Sequence, residues 1–179
     1  MKSKTKQTLL ILHIVSWILF IGLCIQTGAI LYSFFVSLAI NPEAAKNLHL
    51  GLNLSNLYAN DTGRYISLVS FFIVLSAMKA YIFYLMIKIF LKLNLVHPFS
   101  KEVGSLIDKI SYTALSIGVL GLISNGYSDW LMRRGIEMPD LHRYLGGAGE
   151  FLLLAAIVFC IAQIFKRGIE IQTENELTV

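Results

Sequence analysis

The sequence predicts an all-α integral membrane protein: a bundle of four transmembrane helices, with a short amphipathic inner-loop helix and, as one reading, a short β segment in the first outer loop. Three observations predict it. The chain is 56% apolar and 15% charged, where soluble globular chains run about 45–50% apolar and 25% charged. The apolar residues gather in four blocks, each reaching the roughly 20 residues that a bilayer-crossing helix needs. Lysine and arginine collect at alternate block ends, the bias that sets membrane topology. The 179 residues fit a single membrane domain over 1–179, with spans at about 8–36, 65–91, 109–129 and 144–166 and a tail from 167.

The first span follows a basic start (Lys2, Lys4, Lys6) and continues without a charge to Ile40. That run is far longer than the 7–15-residue core of a secretory signal, so it reads as a retained helix. Asn41-Pro42 ends it, because a residue before proline is biased away from helix. In the first outer loop, Leu48 to Ser55 alternates apolar and polar residues, the period of a half-buried strand. A surface loop is the competing reading. Asn60-Asp61-Thr62 matches a glycosylation acceptor, a triplet common by chance.

The second span carries Lys79 in its interior. A lysine there costs roughly 2.5–3.5 kcal/mol on insertion scales. Its readings are snorkelling toward the cytoplasmic headgroups, a structural pair, or contact with a ligand or ion. Pro98 breaks the following linker, and Ser100 is suited to cap the next helix. Lys101 to Ile110 sets Val103, Leu106, Ile107 and Ile110 on one face, as an interfacial helix would. In the third span Ala114, Gly118, Gly121, Asn125 and Ser128 form one small-residue stripe, which marks this helix as the packing centre. Gly146-Gly147-Ala148-Gly149 opens the fourth span. Glu150 near its start either sits among headgroup waters beside the glycines or is a candidate water-linked partner for Lys79, about 10 Å away along the axis. Gln26, Thr27 and Gln163 read as helix-to-helix hydrogen bonders, and Trp17, Tyr65, Tyr127, Trp130 and Tyr144 as interfacial rings.

Orientation follows from the basic residues. One side holds nine (Lys2, Lys4, Lys6, Lys88, Lys92, Lys101, Lys109, Lys166, Arg167) and the other five (Lys46, Arg64, Arg133, Arg134, Arg143). Both termini are therefore expected in the cytoplasm. No direct nucleic-acid binding is expected, since flanking basic residues account for the charge of +4. Cys24 and Cys160 lie inside apolar blocks, and His13, His49, His97 and His142 are scattered without ligand spacing. No metal or cofactor is expected. No catalytic signature stands in the chain, and the expectation is a protein that is not an enzyme.

The closing residues, Ile164-Phe165-Lys166-Arg167-Gly168-Ile169-Glu170-Ile171-Gln172-Thr173-Glu174-Asn175-Glu176-Leu177-Thr178-Val179, resemble the end signature of the bacterial family "domain of unknown function 2975". His97-Pro98-Phe99-Ser100 is similar to that family's inner-loop signature. The resemblance implies four membrane helices and a partnership with a small helix-turn-helix regulator of the Cro/CI type. Pro98, Phe99, Lys166, Arg167, Gly168, Glu170, Glu174 and Asn175 would then be the partner-binding candidates. Gln163 departs from the glutamate of many members, so no acidic role transfers to it. Three functions follow: a membrane sensor or anchor for such a regulator, a small transporter or oligomeric pore using Lys79, Asn125 and Glu150, and a structural subunit of a membrane assembly. A homo-oligomer is compatible with each.

Overall fold

A computed structural model describes residues 2–93, 99–141, 144 and 146–177, with side chains between residues 4 and 174. Pro98, His97, His142, Arg143 and the side chain of Asn175 lie outside the described residues. Among the described residues the α-helices follow in order: α1 Lys2–Ala39, α2 Ser55–Asn60, α3 Thr62–Lys92, α4 Lys101–Arg133 and α5 Ala148–Leu177. Four are long and apolar enough to cross a membrane; the short α2 is not. α1, at 38 residues, is about 57 Å long against a hydrocarbon core of about 30 Å, so it projects well beyond the bilayer.

The helix ends are set by local chemistry. α1 stops before Asn41-Pro42, and Asn41 caps a 3-10 helix at Pro42–Asn47 by accepting the Glu43 N–H. Asp61 caps α3 by accepting the Arg64 N–H at 3.1 Å. Ser100 caps α4 by accepting the Val103 N–H at 3.3 Å. The amphipathic stretch Lys101 to Ile110 is helical as expected, but it continues unbroken into the third span rather than lying along the interface. Its apolar face is the reason: Val103, Leu106 and Ile110 are buried within the protein.

Leu48 to Ser55 is not a strand. Leu50 and Gly51 take left-handed backbone (φ 47° and 82°) and fold the segment into a tight turn, with Leu48 N–H donating to the Leu52 carbonyl at 2.9 Å. The alternation serves burial instead. Leu48, Leu52 and Leu54 point into the protein and Leu50 stands out. Among the described residues no strand edge offers this segment ladder hydrogen bonds, and a turn that closes on itself wins.

The helices pack in chain order, α1 on α3, α3 on α4 and α4 on α5. α1 and α3 run antiparallel, joined by the Thr27–Ser76 hydroxyl pair at 2.7 Å and by Ser37 with the Tyr65 hydroxyl at 2.7 Å. α4 and α5 meet through small residues. Gly121 faces Ala148, Gly118 faces Leu152, and Gly104 faces Phe165 and Ile169. The Ser111 hydroxyl donates across to the Ala155 carbonyl at 3.1 Å. The core runs from the first loop (Leu54, Leu57) through α3 (Tyr65, Leu68, Phe72, Leu75) to α4 (Ala114, Ile117). Large apolar side chains such as Ile18, Ile25, Leu122 and Ile164 remain exposed on the outside. Water does not tolerate so much exposed apolar surface; a bilayer does.

Candidate functional site

The candidate residues gather at two junctions, one at each end of α5. The first is at the end that carries the loops. Gly146 adopts φ +81°, and a Cβ there would lie 2.7 Å from the Lys79 Nζ. The lysine ammonium of α3 therefore rests against the backbone that leads into α5, with the Phe151 ring 5.5 Å away. Its side chain runs toward the loop end, not toward the basic, terminal end as snorkelling required. The Glu150 carboxylate folds back over Gly147, filling the space a Cβ would take. That is the reach of an acidic side chain at the third position of a helix back to its N-cap, where it also meets the positive end of the helix dipole. Lys79 and Glu150 thus converge on the adjacent residues Gly146 and Gly147, side-chain length closing the axial gap.

α4 supplies the third wall. Gly121 approaches Ala148 so closely that an added Cβ would lie 3.0 Å from the alanine Cβ. Ser124, Asn125 and Ser128 continue outward from Gly121 within the next two turns, Asn125 and Ser128 on its face and Ser124 beside it. Ser124 and Ser128 are buried, and among the described residues no group hydrogen-bonds to either hydroxyl or to the buried Asn125 Oδ1. Beside this junction a cavity of about 210 Å³ is lined by Gln26, Ile30, His49, Leu52, Phe72 and Tyr144. The Tyr144 hydroxyl donates to the Leu50 carbonyl at 3.4 Å. Farther out, Trp130 lies between the guanidinium groups of Arg64 and Arg134, at 5.4 and 4.2 Å from its ring.

The second junction is at the terminal end. The Phe99 ring sits over Gly168, 2.6 Å from where a Cβ would stand, and packs on Phe165 with ring centroids 5.1 Å apart. Lys166 pairs with Asp108 of α4 at 2.9 Å. Arg167 pairs with Glu170 within the helix. The two stretches that carried the family resemblance therefore touch each other. Phe99, Lys166 and Gly168 fasten the α5 extension to the start of α4, while Arg167, Glu170, Ile171 and Glu174 remain on the outside. Asp108, the acidic half of this latch, was missed in the sequence because it falls just before the third apolar block. Gln163 is exposed on α5 rather than set between helices. It lies about one turn before Lys166, on a side of α5 that faces away from the other helices.

Four long helices with lipid-suited exteriors, a polar junction within the bundle and a latched terminal extension define a multi-pass membrane protein. The family model described as "Protein of unknown function (DUF2975)" matches residues 49–179, and the chain belongs to that family. No curated protein and no solved structure matches it.

Proposed function

We propose that the chain is a regulatory membrane protein of the bacterial inner membrane, with both termini in the cytoplasm and a small helix-turn-helix regulator as its partner. The observation that carries this reading is the latch: Phe99 on Gly168 and Lys166 on Asp108 hold the α5 extension at a fixed place beside α4. A fixed extension leaves Arg167, Glu170, Ile171 and Glu174 as one outward surface of charges around an apolar anchor. Interfaces of this kind combine an apolar centre with a polar rim. The nine basic residues at the terminal side, against five at the loop side, support cytoplasmic termini. No catalytic step belongs to this reading.

Co-purification of the full chain from solubilised membranes with a helix-turn-helix regulator from the same cell tests the proposal. Ile171→Asp and Glu170→Lys leave the latch residues in place and should abolish capture. Unchanged capture by both variants refutes docking on this surface. Transport is the second reading, favoured by Lys79 and Glu150 meeting on the adjacent residues Gly146 and Gly147. Solute flux into liposomes that is the same for wild type and Lys79→Met would refute it.

A further inference from the structure

Six aromatic rings form one chain of contacts along the seam between α1 and α3. At the terminal end the His13 ring stacks on Phe90, with centroids 5.8 Å apart. The Trp17 Nε1–H donates to His13 Nε2 at 3.0 Å. Trp17 meets Phe20 at 5.9 Å, Phe20 meets Tyr84 at 6.0 Å, and Tyr84 meets Tyr81 at 6.1 Å. This chain of rings joins two hollows. One, a cavity of about 220 Å³ at the terminal end, is lined by Lys6, His13, Phe90 and Leu93. The other, an open groove of about 520 Å³, runs between Phe20, Cys24 and Gly28 of α1 and Ala77, Tyr81 and Tyr84 of α3. Lys6, His13 and Phe20 recur at seven-residue spacing, which sets both hollows on one flank of α1. One turn beyond Tyr84, the Lys88 ammonium lies 4.5 Å from the Tyr84 ring, at the same end of the groove.

We propose that this seam is a binding site for one anionic phospholipid, its headgroup held by Lys6, His13 and Lys88 and an acyl chain laid in the groove. Charge selects the headgroup. Other basic groups at this end are already neutralised: Lys92 pairs with Glu102, Lys166 with Asp108 and Arg167 with Glu170. Lys6 and Lys88 have no acidic partner among the described residues. A zwitterionic headgroup brings its own cation to these two lysines; a headgroup of net negative charge does not. His13 adds a hydrogen-bond donor, because a neutral ring whose Nε2 accepts from Trp17 carries its proton on Nδ1. The depth fits a lipid chain. Lys88 to Ala77 spans eleven residues, about 16 Å of helix, and one leaflet is half of a hydrocarbon core of about 30 Å. The protein leaves the groove open: Cys24 is exposed, and a Cβ at Gly28 would meet nothing within 4 Å. The site stands at the terminal end of the spans whichever side of the bilayer that is. It does not depend on regulator docking, and either reading can fail while the other stands.

Quenching of Trp17 fluorescence by lipids brominated in their acyl chains tests the site. Trp130→Phe keeps a ring at an exposed position and leaves Trp17 as the single tryptophan of the full chain. In dioleoylphosphatidylcholine vesicles, brominated phosphatidylglycerol should reach half-maximal quenching at about fivefold lower mole fraction than brominated phosphatidylcholine, the factor that one lysine at an anionic surface supplies. Lys6→Gln combined with Lys88→Gln should bring that ratio to about one. Lys101→Gln combined with Lys109→Gln removes as much charge from α4 and should leave the ratio unchanged. Cys24→Phe, which fills the groove, should lower it by about twofold or more through lost contact with the chain. Equal quenching by the two lipids overturns the proposal, as does a preference equally sensitive to the α4 lysines or indifferent to Cys24→Phe. A Trp17 shielded from both lipids would put a second copy of the chain in the groove and overturn it as well.

Discussion

Gly118→Ala tests whether α4 and α5 are held together by backbone proximity. An alanine Cβ at Gly118 would lie 2.6 Å from Leu152 Cδ2, 2.7 Å from its Cγ and 3.1 Å from its backbone nitrogen. The Cγ is anchored near the main chain and the nitrogen cannot rotate away, so α5 itself must shift. Overpacking of this kind costs about 1–3 kcal/mol. Replacing glycine by alanine inside a helix also returns up to about 1 kcal/mol of propensity, which would obscure a single measurement. Gly126 supplies the control: it lies in the same helix, and its Cβ would meet nothing within 4 Å. The propensity gain is common to both variants, so the difference between them isolates the clash. Reversible unfolding in mixed micelles with rising dodecyl sulfate should place Gly118→Ala about 1–3 kcal/mol below Gly126→Ala. Equal stability of the two variants would refute close packing at this point.

Further outcomes follow from the same geometry. Tyr65→Phe removes the buried hydrogen bond to Ser37; since Ser37 keeps its bond to the Phe34 carbonyl, the loss should be about 1 kcal/mol by unfolding in the same micelles. Lys166→Met and Asp108→Asn should show a coupling of about 0.5–1 kcal/mol in a double-mutant cycle, as an incompletely buried ion pair allows. Phe99→Ala should leave global stability nearly unchanged while increasing hydrogen exchange in Gly168 to Leu177, because the ring over Gly168 is what fastens that extension; an unaltered exchange pattern would show that the latch holds without it. With cytoplasmic termini, a cysteine at Leu50, the outermost residue of the first loop, should react with an impermeant maleimide in intact cells, and one at Ile171 only after permeabilisation.

The spans were legible because the bilayer demands long apolar runs, and no tertiary detail can relax that demand. The stripe Ala114, Gly118, Gly121 was legible for a similar reason: small residues at helical spacing have few uses in a membrane other than close approach. Connecting segments were harder to read. Alternation in Leu48 to Ser55 left a strand and a surface loop both open; a tight turn buries the same leucines, and period alone does not separate these when the segment is short. For Lys79, snorkelling toward the cytoplasmic headgroups, a structural pair and a ligand contact all stood open in the sequence. A flexible four-carbon stem reaches either way, and the backbone at Gly146, which no sequence pattern places beside α3, decided it.

The same limit explains the terminal end. Phe99 and Gly168 were singled out as separate docking features because they lie in stretches far apart in sequence. In the folded chain the glycine is where the phenylalanine ring fits. A motif shared by both stretches therefore has a structural explanation that precedes any partner: a larger residue at Gly168 would lift the ring and free the extension. Any regulator must then recognise what the latch leaves outside. α5 connects that surface to the polar junction as one continuous helix, packed on α4 at Ala148, Leu152, Ala155 and Ile169. Contact at four levels along one neighbour opposes bending, so α4 holds α5 straight from the Lys79 junction to the terminal surface.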